Sequence, residues 1–141
     1  MTVTLLTEKD VNKICALYLK DFADGWNKEM LISAFNTGRF ICAGAFDGER
    51  LIGVITCSKS VDDADLEGIV TLKEYRGKGV ATALLQFAEK QLKGVNKLLL
   101  EVREGNLPAI RFCKKNGFEK ISVRKKYYAD GENALVFVKE L

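Results

Sequence analysis

Hydrophobic and polar positions change period several times along the chain, and each change marks an element. Residues 2–6 alternate as a short strand, and Thr7 before Glu8, Lys9 and Asp10 makes an N-cap with acidic residues in the first turn. Val11, Ile14, Cys15, Tyr18 and Leu19 then share one helical face. Residues 21–27 break that pattern, with Gly25 and Trp26 inside the break, and a shorter helix is expected over residues 28–35 before Asn36, Thr37 and Gly38. Residues 40–46 and 51–58 are strand-like runs joined through Asp47 and Gly48, a hairpin signal. An acidic connection over residues 61–65 leads into a strand that opens at Leu66.

Residues 69–87, IVTLKEYRGKGVATALLQF, change period within themselves. An apolar β-type run turns through Arg76, Gly77, Lys78 and Gly79 and continues at once as a helix. Ala81, Leu84, Leu85, Ala88 and Leu92 form its apolar face, and it ends near Gly94. Residues 97–102, KLLLEV, are apolar on both faces except at Glu101, the pattern of a buried central strand. Asn106 caps a further helix with Pro108 just inside it and Ala109, Ile110 and Cys113 on its apolar side, and Asn116-Gly117 closes it. Residues 118–128 and 134–141 pair as the last two strands, with Tyr127 and Tyr128 ending the first of them. No repeat, low-complexity segment or linker interrupts the chain, so a single α+β domain over residues 1–141 is expected, its helices interrupting a mixed sheet.

Composition narrows the class. A chain of 141 residues, 48% hydrophobic and 29% charged, has the makings of a real core and not of a disordered segment. Its net charge of +3 permits an anionic ligand but does not point to nucleic acid, because basic residues and aromatics do not interleave. No apolar run approaches membrane-spanning length, and the N-terminal residues lack a signal-peptide pattern. Cys15, Cys42, Cys57 and Cys113 are widely spaced and read as reduced core residues of a cytoplasmic protein. The chain has no histidine, which excludes Ser-His and Cys-His nucleophiles and the usual mixed zinc sites; no metal is expected.

The turn at residues 76–79 carries the first candidate chemistry. A strand that delivers a glycine-rich turn onto a helix N-terminus aims several backbone N–H groups at one point, where Arg76, Lys78 and the helix dipole favour a phosphate or pyrophosphate. A Walker A loop would need Gly-Lys-Ser/Thr after four intervening residues, and a dinucleotide fingerprint would need glycine where Thr82 stands.

Three stretches, taken together, resemble the GCN5-related N-acetyltransferases (GNAT). Arg76-Gly77-Lys78-Gly79-Val80-Ala81 fits the family's acyl-CoA signature. Asn106-Leu107-Pro108-Ala109-Ile110 with Asn116-Gly117-Phe118 fits its Asn-x-x-Ala…Gly-Phe helix and turn. Residues 125–134, KKYYADGENA, look like the branch that acetylates protein N-termini, including ribosomal-protein-alanine acetyltransferases, and Leu100-Glu101-Val102-Arg103 belongs to the same pattern. The resemblance implies the GNAT fold, a mixed and mostly antiparallel sheet of about six to seven strands flanked by about four helices. It implies acetyl-CoA as co-substrate, with the pyrophosphate on the amides of Gly77, Lys78, Gly79, Val80 and Ala81. Pantetheine would lie along the backbone of Ile69, Val70, Thr71 and Leu72, and Asn106 would touch the cofactor or simply cap its helix.

The implied acceptor is the N-terminal α-amino group of a protein or peptide, with a ribosomal protein among the candidates. The alternatives on the same fold are a small amine, a lysine side chain, or a coenzyme A-binding module without turnover. An α-amino group, with a pKa of about 7.7–8.0 against about 10.4 for lysine, needs only mild deprotonation. Glu101 is the first candidate base, because a carboxylate in an apolar strand is costly without a purpose; a salt-bridged or solvent-facing role is the alternative. Glu67 is the second candidate. The family's tyrosine acid is replaced by Cys113, which either donates a proton to the leaving thiolate or packs in the core. Tyr127 and Tyr128 would flank the acceptor channel, one inward and one outward by strand alternation, with Trp26 and Phe22 as the opposite wall or as a lid on the core. Lys114, Lys115, Lys120, Arg124, Lys125 and Lys126 form a solvated basic face or attract the adenosine 3′-phosphate or an RNA-rich ribosomal surface. A monomer or homodimer is expected, with no membrane partner and no direct nucleic-acid contact.

Overall fold

The computed structural model describes residues 1–21 and 26–141, so Phe22 and Gly25 lie outside the described residues. In chain order the elements are β1 (Thr2–Leu5), α1 (Val11–Asp21), α2 (Lys28–Phe35), β2 (Phe40–Asp47) and β3 (Arg50–Lys59). β4 (Asp63–Thr71), α3 (Val80–Gln91), β5 (Lys97–Arg103), α4 (Leu107–Lys115), β6 (Glu119–Arg124) and β7 (Ala134–Glu140) follow. The seven strands form one sheet in the order β1-β2-β3-β4-β5-β7-β6, antiparallel throughout except for a parallel β4–β5 pair. This is the expected α+β architecture.

Local chemistry sets the ends of these elements. The Thr7 hydroxyl accepts the Lys9 N–H at 3.3 Å and the Asp10 carboxylate accepts the Thr7 N–H at 2.8 Å, a capping box that leads through a 3₁₀ turn into α1. Asn27 starts α2 by accepting the Met30 N–H at 2.8 Å. The β2–β3 hairpin closes with Asp47 opposite Arg50, and Gly48 takes a φ of +59° in its two-residue loop. Several sequence expectations shift, and β4 opens at Asp63, inside the stretch expected as an acidic connection, because residues 63–65 pair with β5. In α1 the buried residues are Val11, Ile14, Leu17 and Tyr18, whereas Leu19 is 86% exposed. At about 100° per residue the stripe centres between Ile14 and Tyr18, which leaves Leu19 on the far side. In α3, Val80 is buried where Ala81 was expected and Ala81 is only half-buried.

Cys42 to Ala45 of β2 and Ile52 to Cys57 of β3 are buried without alternation, because helices cover both faces of the sheet. A Cβ on Gly53 would stand 3.0 Å from Val80 and 3.1 Å from Leu84, so α3 lies directly on that face. Thr56, three residues further along β3 and therefore on the opposite face, accepts the Trp26 indole N–H at 3.2 Å. The two faces meet in one continuous hydrophobic core that includes Leu84, Leu98 and Phe137. Leu84 has no exposed surface. We expect Leu84→Ala to lower the unfolding free energy by about 2–5 kcal/mol; a loss well under 1 kcal/mol in denaturant titration would contradict this packing of α3.

Candidate active site

The parallel pairing of β4 and β5 stops early. It joins Asp63 to Lys97, Ala64 to Leu98 and Asp65 to Leu99, after which β4 runs on to Thr71 and β5 to Arg103 without partnering each other. On its other side β4 stays paired with β3, where the register passes from Cys57–Leu66 to Thr56–Gly68 and leaves Glu67 as a bulge. The sheet therefore carries an open seam near its middle. The Leu72 N–H donates to Ile52 of β3 at 2.9 Å, and backbone direction alternates along a strand, so Val70 also faces β3. Ile69 and Thr71 are left to face the seam. Of the four expected backbone partners, Ile69 and the N–H of Thr71 thus face the seam, the Thr71 carbonyl is taken by the Arg76 side chain, and Val70 and Leu72 are committed to the sheet.

Beyond Thr71 a 3₁₀ turn over Lys73–Tyr75 leads to the glycine turn. Gly77 and Gly79 take φ of +76° and +81°, a left-handed backbone that a side chain would strain, with open space within 4 Å of both. The first helical bond of α3 runs from Ala83 N–H to Gly79 C=O at 3.0 Å, so the amides of Val80, Ala81 and Thr82 precede it and lack helical partners. They open on a cavity of about 290 Å³ lined also by Thr71, Tyr75, Arg76 and the α4 residues Arg111 and Lys115. The Arg76 Nε donates to the Thr71 carbonyl at 3.1 Å, which folds this side chain against the end of β4. Lys78 turns away, its Nζ 5.5 Å from the Tyr75 ring centre. The sequence reading missed Arg111 altogether and gave Lys115 only a place in a basic face. Their spacing of four residues on one helix was the available signal.

On the other side of the seam lies a cavity of about 480 Å³, bounded by Asp65, Glu67, Glu101, Arg124, Tyr127 and Tyr128 among others. Glu101 was expected in a sealed strand. Its side chain instead keeps 35% exposure, pairs with Arg124 at 3.0 Å and lies 3.5 Å from the Tyr127 hydroxyl, as the salt-bridged, solvent-facing alternative had it. Glu67 accepts a short hydrogen bond from the Ser58 hydroxyl. β6 ends at Arg124, and Lys126 takes a left-handed φ of +52°, so strand alternation no longer applies to the two tyrosines. Both line the cavity, their rings perpendicular with centres 5.2 Å apart. Burial, and then the nearby Glu101, push the Tyr128 hydroxyl above the usual tyrosine range.

Three further expected site residues sit elsewhere. Cys113 is buried in the core with no exposed surface, and burial pushes its thiol up to about 11, which suits packing better than proton donation. Trp26 packs edge-on against Phe40, ring centres 5.4 Å apart, and bonds to Thr56; it does not line the cavity at Glu101. The Asn106 side chain accepts the Ala109 N–H at 3.2 Å as the cap of α4. Among the described residues no group of His, Cys, Asp or Glu is placed to hold a metal ion, and no helix is long and apolar enough to cross a membrane.

A seven-stranded mixed sheet parted between β4 and β5, with a glycine turn at the mouth of the parting, defines an acetyltransferase of the GNAT type. The family model "Acetyltransferase (GNAT) family" matches residues 11–118, and the chain belongs to that family. Among solved structures it is similar to the ribosomal-protein-S18-alanine N-acetyltransferase from Escherichia coli, with a TM-score of 0.90 and 25% identity over 99% of this chain and 92% of that one. Ard1 from Thermoplasma volcanium gives 0.85 and 22% over 99% and 97%. NAA60 from Arabidopsis thaliana, in complex with a bisubstrate analogue, gives 0.83 and 19% over 99% and 98%. No match is found among curated protein sequences.

Burial raises the thiols of Cys42 and Cys57 to about 12 and that of Cys113 to about 11, against 9.0 for an exposed thiol. Above pH 9.0 the unfolded chain sheds these protons while the folded chain keeps them, so stability is full below that pH and falls as pH rises toward 11. Denaturant midpoints across this window should drop, and less so in a Cys42→Ala, Cys57→Ala variant. In the native protein a thiol reagent should reach the half-buried Cys15 well before the other three.

Proposed function

We propose that this GNAT acetyltransferase moves the acetyl group of acetyl-CoA directly to the α-amino group at the N-terminus of a protein or peptide. The single observation that carries the reading is the open seam. It offers the backbone of Ile69 and the N–H of Thr71 to an extended amide-bearing chain, with an anion-accepting turn at one end and a carboxylate-lined cavity beside it. The residues fit acetyl-CoA: the amides of Val80, Ala81 and Thr82 and the cations Arg76, Arg111 and Lys115 suit its phosphates, and the seam suits its pantetheine arm. Acetyl-CoA supplies an activated thioester carbonyl. Glu101 takes a proton from the attacking amine through a water, with Glu67 as the second candidate, while the N–C bond forms and the C–S bond breaks. The departing thiolate needs no strong acid to leave, so its proton can come from solvent or from Tyr127 or Tyr128 rather than from Cys113.

The E. coli neighbour acts on the alanine of a ribosomal protein, which supports a protein N-terminus, and a ribosomal one among the candidates, as the acceptor. Four unpaired cysteines fit a reducing compartment such as the cytosol. Asp65, Glu67 and Glu101 around the cavity would also favour a small cationic amine, the second reading. A peptide library with free N-termini, acetyl-CoA and mass detection of the modified nitrogen separates the two. Inert peptides beside reactive polyamines would overturn the protein acceptor. Glu101→Gln should lower kcat by roughly a hundredfold, most at low pH, with coenzyme A affinity kept; an unchanged pH–rate profile would remove Glu101 as the base.

A further inference from the structure

We infer that Arg103 is a positioning residue for the acceptor side: it holds the loop at residues 125–133 against the end of β5 and so fixes Tyr128 over the cavity. This rests on the acceptor reading proposed above for that cavity.

Arg103 is the last residue of β5, on the same strand face as Glu101 two residues earlier. Its Nη1 donates to Asp130 Oδ2 at 2.8 Å and to Glu132 Oε1 at 3.0 Å, and its guanidinium lies 4.0 Å from the centre of the Tyr128 ring. The other Glu132 oxygen accepts the Gly105 N–H at 3.0 Å, just before the cap of α4. Arg103 and Glu132 together therefore tie β5 and the α4 approach to the loop that carries both tyrosines. Other bonds hold the ends of the loop: the Asn133 side chain accepts the Lys126 N–H at 2.9 Å and donates to Glu104 at 2.9 Å, and the Tyr127 hydroxyl lies 3.5 Å from Glu101. Ala129, Asp130 and Gly131 are exposed, and its internal backbone bonds are the Gly131 N–H to Tyr128 C=O at 2.8 Å and the Tyr128 N–H to Glu132 C=O at 3.2 Å. Those bonds shape the loop, and Glu104 N–H to Asn133 C=O at 3.0 Å fixes its far end. None of them orients the Tyr128 ring. The planar Arg103 cation, which donates to two carboxylates while covering the ring face, does so together with the edge-on Tyr127 ring.

The test uses the whole chain and three variants, Arg103→Ala, Arg103→Lys and Glu132→Gln. Coenzyme A affinity is read by calorimetry, peptide KM and kcat by acetyl transfer, and amide exchange of residues 125–133 without any substrate. Arg103→Ala should raise the acceptor KM about fivefold or more and speed exchange at Tyr128 and Gly131, with coenzyme A affinity within about twofold. Arg103→Lys and Glu132→Gln should fall between it and the parent, and they carry the test if Arg103→Ala does not fold. An unchanged acceptor KM with unchanged loop exchange overturns the inference. So does a loss of coenzyme A affinity as large as the loss for the acceptor, which would mark general damage. If the parent protein acetylates no free N-terminus, the acceptor reading fails by itself; the KM split is then read with the amine that does react, and the exchange measurement still decides whether Arg103 holds the loop.

Discussion

The site depends on a sheet that is left unfinished at its centre. Two neighbouring strands that pair over three residues and then part expose backbone N–H and C=O groups that a continuous sheet would satisfy. Several features keep them apart. The bulge at Glu67 bends β4 away from its straight course, and β7 pairs with all of β5 from Lys97 to Arg103, which fixes that strand on its other side. The hydrogen-bonding capacity left on Ile69 and on the Thr71 N–H is the feature a strand-like ligand can use.

The same parting separates two electrostatic environments. On the turn side Arg76, Arg111 and Lys115 surround amides that open on the cavity from the positive end of α3. On the other side Asp65, Glu67 and Glu101 gather near two tyrosines, with Arg124 engaged by Glu101. An anionic ligand and a cationic one would each meet opposite charge on its own side of the seam. The interior polar groups answer to the same logic. Thr56 is fully buried yet accepts the Trp26 indole N–H, which ties the entry of α2 to the central strands at the level of the bulge.

What the sequence by itself determined is local. The Thr7 cap, the Asp47-Gly48 hairpin, the turn at Gly77 and Gly79 and the cap at Asn106 each depend on neighbours a few residues away, and each was readable from spacing and residue type. The motifs in their order were enough to suggest the family and its mixed sheet. Tertiary structure decided what depends on partners distant in sequence. Glu101 reads along its own strand as either buried or salt-bridged, and the return of β6 decides it by bringing Arg124 to 3.0 Å. Tyr127 and Tyr128 read as alternating and both turn to the cavity because Lys126 takes a left-handed backbone. Cys113 occupies a catalytic position in the motif, yet the core closes over it. Arg103 and Glu132, twenty-nine residues apart, meet only when the last loop folds back on β5. Periodicity reports which way a side chain points relative to its own element; whether solvent, a carboxylate or the core lies in that direction is settled only when the elements pack.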